Sequence, residues 1–225
     1  MLLYLTEINE NISEDILENR MSLLCSERKK KALDYKNPKD RSRSIAAGLL
    51  LQQGVEERFA KMGQKDAGKS TELVIKEYEN GKPYLPAYPK LHFNISHSGN
   101  LVGCAFAEYE IGFDIQNVRS CKTELLIKKF HPNEQRYFDD LEPTVREAYF
   151  FRLWSIKEAY VKYTAKGLSA GFSSFYVDFE KQKIYDEKQH LLAEFKEILF
   201  PDNAYFGAIV AKDVGELEII EKNIL

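Results

Sequence analysis

Gly112-Phe113-Asp114-Ile115-Gln116 sets one carboxylate between apolar neighbours, and Trp154-Ser155-Ile156-Lys157-Glu158-Ala159-Tyr160-Val161-Lys162 joins a carboxylate to two lysines. Alternate strand residues face opposite sides, so the first segment reads as a strand that presents Asp114. Spacing by four puts Trp154, Glu158 and Lys162 on one face of a helix. Carboxylate oxygens suit a hard cation such as Mg²⁺, and lysines suit the oxygens of a diphosphate. Together the two segments point to phosphoryl chemistry.

Other segments carry weaker signals. Phe93-Asn94-Ile95-Ser96-His97-Ser98-Gly99-Asn100 reads as a strand running into a small polar turn, where backbone amides, the Ser96 hydroxyl and a His97 nitrogen can receive phosphate oxygens. Arg28-Lys29-Lys30-Lys31 with Arg41 and Arg43 is the densest basic region, and Arg28 and Lys31 fall on one side of a helix. Each group also has a plainer reading. An Asp in a strand is commonly half of a salt bridge, a Lys-Glu step is commonly a solvated helix face, and Asn80-Gly81-Lys82-Pro83 is a hairpin turn. His97 has no cysteine or second histidine close by, and neither Ser96 nor Ser98 has the partners of a hydrolase triad.

The elements that must position these groups follow from patterning. Met1 to Glu7 reads as a strand, with helices over Asn11–Met21, from Ser26 (a candidate N-cap) to the break at Asn37-Pro38, and over Lys39–Lys61. A loop is expected at Gly63–Ser70, then strands over Leu73–Tyr78, Leu91–Ile95, Leu101–Glu108 and Ile111–Val118. Helices follow over Thr123–Phe130, Asn133–Leu141 and Thr144–Ala165, and strands over Phe175–Glu180, Ile184–Tyr185, Leu191–Phe195, Ala204–Ala211 and Leu217–Ile220. Helices followed by strands thus occur twice. The fold class is α+β, with two halves, 1–109 and 110–225, each packing helices on a mainly antiparallel sheet. A site between them would receive Ser96 and His97 from the first half, and Asp114 and Glu158 from the second.

Composition bounds the partners. The 225 residues are 44% hydrophobic and 12% aromatic, enough for a real core. A net charge of −3 gives no reason to expect nucleic acid or an anionic membrane. Met1 to Leu5 is apolar but is followed at once by Glu7 and Glu10, too short and too acidic for a signal peptide, and no stretch approaches a membrane span. Three cysteines, Cys25, Cys104 and Cys121, lack metal spacing and read as reduced, buried thiols of a cytoplasmic protein.

Taken together, Gly81-Lys82-Pro83, Phe93-Asn94-Ile95-Ser96-His97-Ser98-Gly99, Gly112-x-Asp114-Ile115, Trp154-Ser155-x-Lys157-Glu158-Ala159 with Lys162, and Lys166-Gly167-Leu168 resemble the Sfp-type 4′-phosphopantetheinyl transferases over most of the chain. The resemblance implies two similar α/β halves with pseudo-twofold symmetry and coenzyme A bound at their interface. It implies transfer of the phosphopantetheine arm to a serine of an apo acyl or peptidyl carrier protein, with release of 3′,5′-ADP. It further implies that Arg28, Lys31 and Arg43 hold the 3′-phosphate of coenzyme A, that Asn80, Gly81, Lys82 and Pro83 lie along the adenine, and that Ser96 and His97 contact phosphates. Asp114, Gln116 and Glu158 would hold Mg²⁺, Lys157 and Lys162 would neutralise the diphosphate, and Glu134 matches a further acidic active-site position. Either Glu158 or a metal-bound water would take the serine proton. At Gln116 the family commonly has Glu, so one anionic ligand is replaced by a neutral amide. The competing readings are a coenzyme A diphosphate hydrolase and a catalytically weakened module that binds coenzyme A or a carrier protein. A monomer is expected, since one chain supplies both halves.

Overall fold

The computed structural model describes residues 1–9, 12–61, 73–167, 171–201 and 203–225. They form two units, Met1–Tyr109 with Leu217–Leu225, and Glu110–Glu216. The loop expected at Gly63–Ser70, and Leu168 of the last motif, lie outside the described residues.

In the first unit, β1 (Leu2–Glu7) is followed by three helices, α1 (Glu14–Ser22), α2 (Ser26–Leu33) and α3 (Pro38–Lys61). Helix α1 starts where the Ser13 hydroxyl accepts from the Ile16 amide. Helix α2 starts one residue earlier than its sequence suggests. Cys25 holds the N-cap position with no side-chain cap, and its amide donates to Gln52 Oε1 at 2.7 Å. Pro38 opens α3 as its first residue, where a missing amide costs nothing. Two-residue strands β2 (Lys76–Glu77) and β3 (Pro83–Tyr84) replace the longer strand expected at Leu73–Tyr78. Next come β4 (His92–Ser98) and β5 (Leu101–Ala107). Strand β4 continues through Ser96, His97 and Ser98, which pair with Gly103, Val102 and Leu101, so the polar stretch expected as a turn is sheet as far as Ser98.

In the second unit, β6 (Ile111–Asn117) again leads into three helices. The first, expected as one helix over Thr123–Phe130, is a short α4 (Thr123–Leu126) continued by a 3₁₀ turn over Ile127–Lys129. Then come α5 (Pro132–Asp140) and α6 (Pro143–Thr164), which ends at Ala165 in the left-handed region at φ 53°. Strands β7 (Phe175–Asp178), β8 (Lys183–Asp186), β9 (Leu191–Leu199) and β10 (Tyr205–Ala211) complete an antiparallel sheet in the order β6-β10-β9-β8-β7. Each unit therefore runs strand, three helices, then strands. This is the α+β class with two similar halves.

The expected second half, 110–225, loses its end to the first unit. Strand β11 (Glu218–Glu221) pairs in parallel with β1, giving the order β11-β1-β5-β4. Parallel neighbours need a long connection, and a local reading of the sequence cannot see such a return. Lys222 secures it by donating to Glu57 of α3 at 2.7 Å, while lying 4.6 Å from the centre of the Tyr4 ring. The Tyr4 hydroxyl donates to the same carboxylate.

Each core follows the patterning of its elements. In the first unit Leu2, Tyr4, Leu50, Leu51, Phe93, Val102 and Phe106 pack together. Gly54 of α3 is needed there, because a Cβ would run into the Phe106 ring. In the second unit, Phe130, Phe138, Phe150, Leu153, Ile156, Phe172, Phe175 and Phe195 form an aromatic core around α6. Helix α5 is held by a capping box: His131 Nδ1 accepts from the Asn133 amide at 3.2 Å, and Glu134 accepts from the His131 amide at 3.0 Å.

That cap requires an unprotonated Nδ1. Burial, and then the charge of Lys157, lower the His131 pKa from its usual 6.5. A depressed folded pKa means that the stabilisation is complete above about pH 6.5 and is lost as pH falls through the folded value. Asn caps helices without titrating in this range. Between pH 7.5 and 5, thermal melts of the wild type should lose about 1 kcal/mol more than those of His131→Asn. Parallel pH profiles would show that His131 does not cap as the neutral imidazole.

Candidate functional site

The candidate centre of the second unit is built where β6 rests on α6. Gly112 makes that approach possible. A Cβ at this position would collide with the carbonyl oxygen of Ala159 and the amide of Tyr163, both backbone atoms that cannot step aside. Two residues along β6, Asp114 is buried, 3% exposed, and one turn of α6 brings Glu158 and Lys162 to the same side. Lys162 donates to Asp114 Oδ1 at 2.6 Å and to the Phe113 carbonyl at 3.1 Å. Gln116 Nε2 donates to the other Asp114 oxygen at 2.6 Å. An ionised carboxylate only accepts, so the Gln116 amide turns its NH₂ group toward Asp114. The Gln116 side chain expected as a ligand thus faces Asp114 with its NH₂ group.

Glu158 is half-buried. Among the described residues it makes no hydrogen bond or ion pair, and Asp114 and Lys162 act on it through space. Burial, and then the nearby Asp114 charge, raise its pKa from 4.5, with Lys162 opposing. A carboxylate whose ionisation is opposed by a second one nearby is a suitable start for a divalent cation. Mg²⁺ in particular is commonly held by one or two carboxylates completed by waters and substrate phosphates. Among the described residues no cluster of three or more His, Cys, Asp or Glu side chains could hold a metal. Asp114 and Glu158 are the two carboxylates here that could offer such a cation its oxygens.

Lys157 and Glu134 lie elsewhere than expected. Lys157 is fully buried, and its ammonium donates to the Phe172 and Phe175 carbonyls and to Glu134 Oε2, all at 2.8 Å. Its three donors are satisfied, so it is not presented to a diphosphate. Burial, opposed by Glu134, lowers its pKa to about 8. Glu134, 3% exposed, also accepts from the Val177 and His131 amides. Burial raises its pKa and Lys157 acts against the rise. The helical period carried this signal: Lys157 continues the stripe of Phe150, Leu153 and Trp154 that faces the core, whereas Glu158 is turned about 100° away.

The first unit holds the other predicted residues. Arg28 is 8% exposed, and its Nη2 donates to the Ser44 carbonyl at 2.9 Å. Among the described residues its Nε has no hydrogen-bond partner, nor does the buried Ser44 hydroxyl. Burial lowers the Arg28 pKa, and no carboxylate is among the groups that act on it. An uncompensated buried guanidinium is costly, so this position could receive an anion, and the Ser44 hydroxyl, which sequence reading missed, could join it. Gly48 leaves room for it, since a Cβ there would meet Leu24 and Arg28. Lys31, three residues on, is exposed, so the two cations expected on one side differ in environment. Arg43 donates from Nε to the Gly99 carbonyl at 2.7 Å and pairs with Asp40 at 2.6 Å. It borders an open pocket with Lys39, Ser42, Gly99 and Asn100.

On β4, strand alternation separates Ser96, which is buried, from His97, which is exposed. Asn80-Gly81-Lys82-Pro83 forms a tight hairpin in which Gly81 has φ +80° and the Lys82 amide donates to Asn80 Oδ1 at 3.1 Å. The flanking Tyr78 and Tyr84 rings stack with centroids 4.2 Å apart.

Removing the Glu158 charge should remove the cost that burial and the Asp114 charge place on it. A raised carboxyl pKa means that ionisation in the folded state costs stability above the unfolded value of 4.5. In EDTA at pH 8, Glu158→Gln is therefore expected to melt above the wild type, with the difference shrinking toward pH 5. A variant that melts lower at pH 8 would refute the opposition.

Comparison with known proteins agrees with this layout. Residues 110–209 match the 4′-phosphopantetheinyl transferase superfamily model, and residues 11–109 match the model described as 4′-phosphopantetheinyl transferase, N-terminal. A 4′-phosphopantetheinyl transferase of Bacillus subtilis is 31% identical over 79% of this chain and 76% of its own length. The enzyme psf-1 of Bacillus pumilus is 37% identical over 60% of this chain and 55% of its own. The L-aminoadipate-semialdehyde dehydrogenase-phosphopantetheinyl transferase of Xenopus laevis is 26% identical over 87% and 72%. With both units matched and a relative at this identity along most of its length, the chain belongs to the Sfp-type 4′-phosphopantetheinyl transferases and is a transferase of that class.

Proposed function

We propose that this protein moves the 4′-phosphopantetheine arm of coenzyme A onto a serine of an apo acyl or peptidyl carrier protein, releases 3′,5′-ADP, and requires Mg²⁺. The observation that carries the reading is the group around Asp114: two opposed carboxylates with Lys162 bonded to one of them, on a chain of this family. Mg²⁺ held by Asp114 and Glu158 would neutralise diphosphate charge and favour departure of the nucleotide. Lys162 supplies a positive charge that can pass from Asp114 to a phosphate oxygen. Glu158, with its raised pKa and no hydrogen-bond partner among the described residues, is suited to accept the proton of the serine hydroxyl. As the serine oxygen bonds to phosphorus, the bridging P–O bond breaks, 3′,5′-ADP leaves, and the proton rests on Glu158. Gln116 keeps Asp114 oriented throughout.

In the first unit, Arg28 with Ser44, aided by Lys31 and Arg43, takes the 3′-phosphate. The buried Arg28 charge without a carboxylate supports that role. The hairpin at Asn80–Pro83 takes the adenine, and Ser96 and His97 take further phosphate oxygens. Three free thiols are compatible with a cytoplasmic setting. Among the described residues no helix is long and apolar enough to cross a membrane. A monomer suffices for this chemistry.

Intact mass of apo carrier proteins after incubation with the protein, coenzyme A and Mg²⁺ tests the reading. Each modified carrier should gain one phosphopantetheine, and the gain should vanish with Glu158→Ala. Coenzyme A consumed without carrier modification would identify a hydrolase, and neither change would leave a binding module. Arg28→Met should raise KM for coenzyme A about 10- to 100-fold, the range for losing one charge-assisted contact, and leave KM for 3′-dephospho-coenzyme A nearly unchanged. Equal effects on both substrates would remove Arg28 from the phosphate site. Gln116→Glu should lower the Mg²⁺ concentration for half-maximal transfer, and an unchanged requirement would separate this position from the metal.

A further inference from the structure

Lys157 makes three bonds that reach well beyond its own helix. Its ammonium lies 4.1 Å from the centre of the Phe175 ring and 5.4 Å from that of Phe130, closed off from solvent. Two of its bonds go to carbonyls of the chain that returns after α6, at Phe172 and Phe175. The third goes to Glu134, which is itself bonded to the first turn of α5 and to the Val177 amide of β7. One nitrogen thus ties α6 to α5, to the 3₁₀ turn at Phe172–Ser174 and to β7.

A buried ion pair is a poor source of stability, because apolar side chains of the same volume fill such a space as well or better. What this pair does supply is direction. Lys157 and Glu158 are adjacent on α6 and point about 100° apart, so any roll of the helix that moves Glu158 must also break the bonds of Lys157. The Gly112 contact fixes how closely α6 lies against β6, and the bonds of its side chains fix how the helix is turned. From this geometry we infer that Lys157 is a positioning residue: through Glu134 and the Phe172 and Phe175 carbonyls it sets the roll of α6, and with it the placement of Glu158 and Lys162 opposite Asp114.

The inference rests on the transferase reading, so the experiment uses a carrier protein that the wild type modifies; failure of the wild type to modify any carrier would strike the function, not Lys157. Three variants are compared with it: Lys157→Met, Glu134→Gln, and the double variant with both, in which the site becomes nearly neutral and the buried charge is gone. Each is measured for melting temperature, kcat, KM for coenzyme A and the half-saturating Mg²⁺ concentration, well below the lowest melting temperature.

Glu134→Gln keeps the Lys157 bonds to both carbonyls and should keep kcat within about fivefold of the wild type, even if its melting temperature falls. The double variant should recover a melting temperature near that of the wild type, yet show kcat down about 100-fold and a raised Mg²⁺ requirement, with KM for coenzyme A changed less than threefold. Activity would then follow the presence of Lys157 and not stability. If kcat instead tracks melting temperature across the three variants, or the double variant regains wild-type kcat, the pair is only structural and the inference fails. It fails equally if neither variant lacking Lys157 folds, for then Lys157 belongs to the fold as a whole.

Discussion

Contact between the backbone of β6 and that of α6 at Gly112 is the constraint on which the second unit depends. It can occur only where the strand has no side chain and the helix offers a small residue, here Ala159. Close approach lets Asp114, two residues further along β6, accept directly from Lys162 on α6. It also brings the Glu158 charge near enough to Asp114 to be opposed by it. A glycine thus determines an electrostatic arrangement without taking part in it.

Cation placement follows one rule in both units: a charge is either satisfied by the protein or left for something else. Lys157 is satisfied, with three bonds around its ammonium, and so acts on structure. Arg28 is also buried, but among the described residues it has one carbonyl bond and no carboxylate partner. The difference in function assigned to these two residues comes from that difference in partners, since a buried charge without a counterion is unfavourable until an anion arrives.

The motif containing Lys157 and Glu158 shows how adjacent residues acquire opposite duties. A helix turns about 100° per residue, so one side chain of the pair enters the aromatic core and the other faces the carboxylate of β6. Linear inspection groups them as one charged step. Periodicity separates them, because Lys157 continues the stripe of Phe150 and Leu153. Ser96 and His97 are separated in the same way by the alternation of β4.

By itself the sequence determined the α+β class, the repeated order of helices and strands, the family, and the residues around Asp114, because local periodicity and motif spacing act over a few residues. Only the tertiary structure decided that β11 returns to β1, that Gln116 bonds to Asp114, that Lys157 and Glu134 are core partners, and that the Arg28 guanidinium is buried against the Ser44 carbonyl. Each of these depends on which buried donors find acceptors far along the chain. That matching is settled when the core closes and excludes water, and no local pattern encodes it.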